Sequence, residues 1–574
     1  MKNALRYAGI LALMFLLTAA CQHPGQKASF EGISAVDALK AHSREFEKRV
    51  ETVTEGVHVA IGYGLANSVM LEGDNGVIII DTLESVQTAQ EVQAAFRKIT
   101  DKPVRAVIYT HNHADHVFGA SVFADDPEIP IYAHETTSYY MDRIVSVLTP
   151  VINRRSMRMF GNRLDDAAIV NAGIGYRLNV HPDSRIGIVR PTRTLADELS
   201  DTISGIRFKL IHVPGETNDQ LCVWLPEKKV LIAADNIYKT FPNLYTIRGT
   251  PYRDVRKWVD SLERMRALGA RHLVPCHTGP VSGQEKIREL LTVYRDAIAF
   301  IHDQTIRGMN KGLVPDELVK EIQLPDHLAE HPYLQEFYGT VQWSVRSIFE
   351  GNLGWFDGNP TNLFPLPPEK KAEKMADLAG GEAALLAKAE AGYEKGQYQW
   401  VLELTDHLLR LNPENSKVKN LRAGALIALG KAQKNPNARH YYLTCAAELE
   451  QDLDMDKRAT PDPEMVHAMP LSTFFDSMAV NLDPQRAADI RQTVHFVFPD
   501  IDAAYTVRVR KGVSEITPGR VGHPDITATV DSKVFKEMLA RLRSPLVTIT
   551  TEFDVKGGKI AFIKFMKLFQ ASDA

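Results

Sequence analysis

The sequence predicts a layered α/β fold in its N-terminal part, followed by an all-helical region and a smaller α+β unit. The first prediction rests on short apolar strand patterns that alternate with helical patterns over residues 57–110 and again over residues 206–280. The second rests on residues 382–450, where only helical spacing occurs. These residues follow a Pro-, Asn- and Gly-rich stretch at residues 358–368, which predicts a linker.

The first α/β unit opens with three predicted strands. Residues 57–62, 68–72 and 77–80 are apolar runs separated by turn residues. The third run is continuously apolar, as expected for a strand covered on both faces. Residues 85–99 then have helical spacing, and residues 105–110 form another short strand of the buried type.

The second α/β unit contains a helix with clear boundary signals. Thr250 is the predicted N-cap, Pro251 the first helical position, and Gly269 the residue after the end. We therefore expect one helix between these residues.

The helical region resembles a helix-pair repeat of the tetratricopeptide kind. The resemblance lies in Ala-Gly-Tyr-Glu-Lys-Gly-Gln-Tyr at residues 391–398 and Leu-Asn-Pro-Glu at residues 411–414. Pro461 and Pro463 then mark a second break. Strand and helix patterns mix beyond it, which predicts an α+β unit over residues 464–574.

Composition indicates a globular protein of several domains. A chain of 574 residues exceeds one core, and a prior of about 150 residues per domain gives three or four units. The apolar content of 44% argues against general disorder. The net charge of −4 gives no basic field, so we expect no nucleic-acid partner.

Residues 1–20 predict an export signal that is not part of the fold. Lys2 and Arg6 precede an apolar stretch over residues 8–20, which is short for a membrane span. Leu-Thr-Ala-Ala-Cys before and at Cys21 resembles a bacterial lipobox, although threonine stands where leucine is usual. We expect a periplasmic lipoprotein of a Gram-negative bacterium, anchored to the membrane at Cys21; ordinary cleavage before this cysteine is the alternative.

The strongest chemical signal follows the strand that ends at Thr110. Four side chains of metal-ligand type lie within six residues: His111, His113, Asp115 and His116. Imidazole and carboxylate together suit zinc and similar ions. Four ligands exceed what one catalytic ion takes while keeping an open position, so the motif predicts two ions. The alternative is a His-rich surface loop.

The order His-x-His-x-Asp-His after a strand resembles the motif of the metallo-β-lactamase superfamily. The resemblance implies an αββα sandwich in which His111 and His113 bind one ion and Asp115 and His116 a second. It also implies three later ligands. These are Glu216 after Pro-Gly, Asp235 at the place of a bridging carboxylate, and His277 at the place of the final histidine.

Most members of the superfamily have histidine at the position of Glu216. A glutamate there resembles one branch in particular. This branch, the alkylsulfatases, hydrolyses long-chain alkyl sulfates. Asn-Leu-Tyr-Thr-Ile-Arg-Gly at residues 243–249 and Gly-Trp-Phe-Asp-Gly-Asn-Pro at residues 354–360 are also similar to it. Two departures favour the wider superfamily: Asp235 stands where the branch has glutamate, and Thr278 where it often has a second histidine.

The resemblance implies a catalytic domain at residues 30–358, a helical dimerisation domain at residues 370–455, and a domain of the sterol carrier protein type 2 kind at residues 464–574. A homodimer is therefore expected. The last domain would offer a tunnel-like site for alkyl chains or lipids, whereas the spacing of Phe562 and Phe565 favours an ordinary core.

The implied reaction uses two Zn²⁺ ions to activate water against the ester of an anionic head on an apolar chain. Asp115 and Asp235 are then catalytic. Arg248 would bind sulfate, because its guanidinium presents paired donors, and Asn243 would add a neutral donor. The alternatives are a surface ion pair for Arg248 and a turn role for Asn243.

Two further features have open interpretations. Asp81 either supports the metal loop from behind or caps the following helix. The arginines at 154, 155, 158 and 163 form either a basic lip that attracts anions or a solvated face.

Three functions compete. An alkyl sulfate hydrolase leads. The second is another hydrolase of the same fold, such as a β-lactamase, thioesterase or phosphodiesterase. The third is a lipoprotein without enzymatic activity that binds lipids through its C-terminal domain.

Overall fold

The computed structural model describes residues 34–451, 453–457 and 459–569. The predicted export signal and Cys21 lie outside the described residues. Within the described part, no helix is long and apolar enough to cross a membrane.

The first β-sheet has seven strands in the order β1-β2-β3-β4-β5-β6-β8. The strands up to this point of the chain are β1 (Arg49–Thr54), β2 (Val57–Ile61), β3 (Ser68–Glu72), β4 (Val77–Ile80), β5 (Val104–Ile108), β6 (Ile131–His134), β7 (Arg185–Ile186), which lies outside this sheet, and β8 (Arg193–Leu195). β1 to β4 pair antiparallel, and β4, β5, β6 and β8 pair parallel.

The second sheet has six strands in the order β14-β13-β12-β11-β10-β9. They are β9 (Glu198–Ile203), β10 (Ile206–His212), β11 (Leu221–Leu225), β12 (Val230–Ile232), β13 (His272–Val274) and β14 (Val281–Ser282). Only the β12–β13 pair is parallel.

The two sheets face each other across one apolar layer. Along β4, Ile78 and Ile80 point into this layer, while Val77 and Ile79 join the cluster on the outer face. Both faces are thus covered, which explains why the run is continuously apolar. Phe208 and Val223 close the layer from the second sheet.

Helices cover the outer faces of both sheets. They are α1 (Ala35–His42), α2 (Val86–Phe96), α3 (Ala114–Val117), α4 (Thr137–Val145), α5 (Thr149–Phe160), α6 (Val255–Ala267), α7 (Gln284–Asn310), α8 (Pro315–Glu321), α9 (Asp326–Ala329) and α10 (Val341–Leu353). This αββα arrangement confirms the predicted class of the catalytic domain.

The predicted start of α6 is wrong. The N-cap is Asp254, whose carboxylate accepts from the N–H groups of Arg256 and Lys257 at 3.1 and 3.2 Å. Thr250 and its proline therefore lie in the loop before the helix. The predicted end holds, because Gly269 follows the cap residue with a φ of +66°.

The predicted all-helical region is present. It consists of α11 (Pro368–Ala379), α12 (Glu382–Glu394), α13 (Tyr398–Leu411), α14 (Ser416–Ala432) and α15 (Pro436–Glu450). The segment at residues 391–398 connects α12 and α13. Consecutive helices pack on each other, and α15 packs against α5 of the catalytic domain.

The C-terminal unit is α+β, as predicted. It contains β15 (Thr460–Pro461), α16 (Pro463–Ala468), α17 (Leu471–Val480), β16 (Arg491–Phe498), β17 (Ala503–Arg510), β18 (Val513–Pro518), β19 (Ile526–Thr529), α18 (Ser532–Leu539), α19 (Pro545–Thr551), β20 (Asp554–Lys556) and α20 (Lys559–Met566). The five-stranded sheet runs β18-β17-β16-β19-β20, and β15 pairs with β7 of the catalytic domain. Phe475, Phe496, Phe535 and Phe562 pack together in its core.

Candidate metal centre

The metal-ligand motif lies at the carboxyl end of β5. The Thr110 N–H and hydroxyl both donate to the Asp81 carboxylate at 2.8 Å, which fixes the start of the loop. The chain then turns into α3, a single helical turn that carries Asp115 and His116. Asp81 itself sits at the end of β4 with a φ of +59°. The loop is thus held from the adjacent strand end.

Three histidines of the cluster are each held at Nδ1, so that Nε2 of each ring faces the same space. His277 Nδ1 lies 2.9 and 3.0 Å from the carbonyl oxygens of Leu65 and Ile174; since a carbonyl only accepts, Nδ1 donates, and Nε2 faces the Asp235 carboxylate at 3.2 Å. His116 Nδ1 lies 2.7 Å from Asp81 Oδ2, and its Nε2 has no hydrogen-bond partner within the described residues. His111 Nδ1 is held by the Thr110 hydroxyl at 3.0 Å.

Asp81 therefore supports a candidate ligand. The alternative interpretation, that it caps the following helix, is wrong because Ser85 is the N-cap of α2 and accepts from the Thr88 N–H.

Asp235 occupies the centre of the cluster. It lies in a 3₁₀ turn after β12, and its Oδ2 is 3.2 Å from His277 Nε2, 3.5 Å from His116 Nε2 and 3.6 Å from His111 Nε2. A carboxylate in this position can be shared between two ions.

All seven predicted ligands come together, and they do so in three overlapping groups. In one group, ligand atoms of His113, Glu216 and Asp235 lie within 4.8 Å of one another; in a second, those of Asp115, His116 and His277 do. A further combination joins His111, His116 and Asp235. The structure thus offers donors for a pair of ions with Asp235 between them.

The donor set fits metal ions. Within the described residues, His116 Nε2 and Asp235 Oδ1 are buried without a hydrogen-bond partner. Burying such atoms unpaired is costly, and an ion would satisfy them. Burial also lowers the pKa of His111 and His113 well below the ordinary histidine value, so both are neutral and able to ligate.

Glu216 has two buried partners that sequence reasoning missed. Arg253 Nη1 lies 3.0 Å from its Oε1, both side chains being 2% exposed, and the Tyr238 hydroxyl donates to Oε2 at 3.0 Å. The guanidinium balances the extra negative charge of a glutamate.

Arg248 and Asn243 both lie beside this centre. Arg248 Nη2 is 3.0 Å from His113 Nε2, and the guanidinium forms no salt bridge with a carboxylate of the described residues. The alternative interpretation of Arg248, a surface ion pair, is therefore wrong. Asn243 is fully buried: its N–H donates to the Tyr238 hydroxyl at 2.9 Å, and its carbonyl accepts from Arg253. Its side-chain amide has no partner within the described part of the chain.

Neither interpretation of the arginine cluster on and after α5 is correct. All four side chains bind other parts of the protein, so they form neither a free lip nor a merely solvated face. Their partners are the Asp456 carboxylate for Arg154, the Ile247 carbonyl for Arg155, the Glu448 carboxylate for Arg158 and the Lys457 carbonyl for Arg163.

A carboxylate that sequence reasoning missed is Asp219, which is fully buried. It accepts from the Asn112 side chain at 2.6 Å and from the Thr137 hydroxyl at 2.8 Å. Asn112 stands between two candidate ligands, so Asp219 supports the motif from the second sheet. In the sequence, Asp219 is marked only by its position just before the strand β11. Carboxylates beside strands are too common for this position to identify a functional residue.

Three family models match the chain. The metallo-beta-lactamase superfamily model matches residues 61–277, the alkyl sulfatase dimerisation model residues 314–452, and the alkyl sulfatase C-terminal model residues 459–574.

Individual relatives cover nearly the whole chain. A linear primary-alkylsulfatase of Pseudomonas sp. (strain ATCC 19151) is 39% identical over 88% of this chain and 99% of its own. An alkyl/aryl-sulfatase of Saccharomyces cerevisiae is 29% identical over 91% of this chain and 82% of its own. The solved structure of the stereoselective inverting sec-alkylsulfatase Pisa1 from Pseudomonas sp. superposes with a TM-score of 0.85 at 26% identity, covering 94% of this chain and 87% of its own. The chain belongs to the alkylsulfatase family of the metallo-β-lactamase superfamily.

Proposed function

We propose that the protein hydrolyses alkyl sulfate esters to an alcohol and inorganic sulfate at a centre of two zinc ions. The observation that carries the proposal is the paired donor cluster around Asp235 with the Arg248 guanidinium beside it. The relatives named above as alkylsulfatases support the choice of substrate.

The seven side chains divide between the two ions. His111, His113 and Glu216 would hold the first, Asp115, His116 and His277 the second, and Asp235 both. Zinc suits imidazole and carboxylate donors, and two such ions would activate a water as the nucleophile near neutral pH.

The remaining residues bind and orient the ester. The Arg248 guanidinium would donate to two sulfate oxygens, and the unpartnered Asn243 amide would add a neutral donor. Sulfate is a weakly basic leaving group, so the site needs an anion clamp more than a strong general acid.

The test is sulfate release from dodecyl sulfate by the purified protein, together with elemental analysis. Chelation should abolish the activity, zinc should restore it, and His113→Ala should lower both metal content and rate. Arg248→Ala should keep its metals and lose about ten- to hundred-fold in kcat/KM, the worth of a hydrogen bond to a charged group. Arg256→Ala, which removes an exposed arginine of α6, is the matched control.

Two results would overturn the proposal. Full activity in excess chelator would exclude the two-metal centre, and turnover of nitrocefin or a thioester but not of alkyl sulfates would indicate a different bond.

We also propose a homodimer formed through the helical region. Exposed apolar side chains follow α10 and continue into α11: Trp355 is 71% exposed, Phe364 94% and Leu378 82%. A second copy would cover them, which agrees with the dimerisation model matched at residues 314–452. Sedimentation should give a dimer for the wild type and weaker association for Phe364→Ser; a wild-type monomer would contradict the proposal.

The periplasmic location and the lipid anchor at Cys21 stay proposals from the sequence. They are tested by fractionation and by lipid labelling of the wild type and of Cys21→Ala. Label in the variant would exclude anchoring at this residue.

A further inference from the structure

The turn that carries Arg248 rests on helix α5. The turn is closed by the Gly249 N–H, which donates to the Thr246 carbonyl at 3.0 Å. Helix α5 belongs to an excursion of the catalytic domain between β6 and β8, so it is not part of the metal centre.

Three contacts join the turn to the helix. Arg155 donates twice to the Ile247 carbonyl, from Nε at 3.0 Å and from Nη2 at 2.6 Å. The Thr246 hydroxyl lies 3.3 Å from the Met159 sulfur. A β-carbon on Gly249 would lie 3.5 Å from Ile152 Cδ1, which places this glycine directly over the helix.

The three residues of α5 that make these contacts lie along one side of the helix. Ile152, Arg155 and Met159 are spaced by three and four residues, so they lie on the same face of α5. The residue held most firmly is Ile247, whose carbonyl takes both bonds from Arg155 and which immediately precedes Arg248.

A neighbouring face of α5 contacts the helical region and the segment that follows it. Arg154 pairs with Asp456 at 2.7 Å and Arg158 with Glu448 at 3.0 Å. Two helical turns further along, Gly161 lies against the ring of His440 in α15. Helix α5 is therefore held on one face while a neighbouring face holds the Arg248 turn.

We infer that Arg155 is a positioning residue that fixes the direction of the Arg248 guanidinium by holding the Ile247 carbonyl on α5. The inference rests on the proposed role of Arg248 in sulfate binding. Within the described residues, both hydrogen bonds of the Arg155 side chain go to the Ile247 carbonyl, so it acts through the backbone of the residue next to Arg248. A donor displaced by a fraction of an ångström binds the transition state less well. We therefore expect the loss of Arg155 to lower kcat/KM.

The test is a double-mutant cycle on sulfate release from dodecyl sulfate. Arg155→Ala should keep two metals per chain and lose about five- to tenfold in kcat/KM, less than Arg248→Ala. In the Arg248→Ala background the same change should cost less than about twofold, because nothing is left to orient. Arg155→Lys, which keeps a donor and the charge, should recover part of the loss, and Arg256→Ala should leave kcat/KM unchanged.

A second readout separates orientation from general damage to the fold. Inorganic sulfate should inhibit wild type competitively, and Arg155→Ala and Arg248→Ala should both raise its inhibition constant. The loss caused by Arg155→Ala should also be equal for octyl and dodecyl sulfate, since only the head group meets Arg248.

The outcomes distinguish the two proposals. Wild-type activity of Arg248→Ala would overturn the sulfate-binding role itself. A loss for Arg248→Ala with none for Arg155→Ala, or full losses that multiply in the double variant, would leave that role standing and overturn the positioning role of Arg155.

Discussion

At the scale of single residues, the pair of Glu216 and Arg253 accounts for a glutamate where related proteins more often have histidine. Glutamate adds one negative charge at the candidate metal centre, and Arg253 supplies one positive charge at 3.0 Å. Both are nearly inaccessible to water, so neither charge is tolerable without the other. A glutamate at position 216 therefore requires the buried arginine at position 253.

Glu216→His should keep part of the metal but slow turnover. The imidazole can still ligate, yet Arg253 then stays buried without its carboxylate, which costs about 3–5 kcal/mol for a buried pair that is broken. We expect a lower melting temperature, a changed pH dependence of kcat and incomplete metal loading, checked by calorimetry, rate profiles and elemental analysis. Glu227→Gln, which removes an exposed partner of Arg207, is the control. An empty site or an unchanged rate would each mean that the role assigned to Glu216 is wrong.

Asn67 ties the start of β3 to the segment around His277. Its side-chain amide donates to the carbonyls of Pro275 and Thr278 at 3.2 and 2.8 Å. Asn67→Ala leaves both acceptors unpaired, at about 1–3 kcal/mol each. We expect the second ion to dissociate more easily, so dialysis against a weak chelator should leave about one metal per chain. Asn352→Ala, an exposed amide on α10, should keep two; equal stoichiometry in both variants would contradict the prediction.

The sequence predicted the candidate ligands because most of their signal is local. Four of them stand within six residues, and the other three follow apolar strands. Arg253 and Asp219 were missed because each reaches the centre through the fold and has no motif around it. Their partners, Glu216 and Asn112, lie 37 and 107 positions away in the chain.

At the scale of elements, α5 shows how a correct pattern received a wrong interpretation. The arginines are helical and clustered, as the spacing indicated, but the sequence offered only a basic lip or a solvated face as interpretations. The partners of Arg154 and Arg158 are 302 and 290 residues away. The start of α6 was misplaced for a related reason. Thr250 and Pro251 match the pattern of a helix start, but in the fold they lie in the loop before the helix.

The contact between α15 and α5 should be sensitive to acid. Burial first, and Arg439 next to it, lower the pKa of His440 to about 4. Between about pH 6.5 and pH 4 the unfolded chain binds a proton that the folded chain does not, so the stability from this group is lost as pH falls, by up to about 1.4 kcal/mol per pH unit. His440→Leu should therefore flatten the unfolding free energy over this window in denaturant titrations. An equal slope for wild type and variant would exclude this histidine as the cause.

At the scale of the whole molecule, the three-part architecture could be predicted because each part has its own periodicity and the breaks carry proline. The contacts between the parts could not. The clearest case is the C-terminal domain: Arg190 donates to the Ala468 carbonyl at 3.1 Å, and Met465 and Met469 line one small gap together with Met141 and Ile188.

If the C-terminal domain receives the alkyl chain, deleting it from Met469 should lower kcat/KM more for long-chain substrates than for short ones. The deletion also uncovers apolar side chains such as Ile188, so a lower melting temperature is expected as well. The ratio of kcat/KM for dodecyl and hexyl sulfate is the measurement, because the fraction of active protein cancels in a ratio. A ratio equal to that of wild type would assign the domain a purely structural role.

The parallel pairing of β7 with β15 joins residues 185–186 to residues 460–461. More than 270 residues must therefore be synthesised between the two halves of this contact. Until then, the catalytic domain lacks part of the apolar cover that it has when complete. Such non-local contacts form late and slowly, and chains waiting for them are prone to aggregate. The order of synthesis thus makes the C-terminal domain the late partner that completes the apolar cover of the catalytic domain.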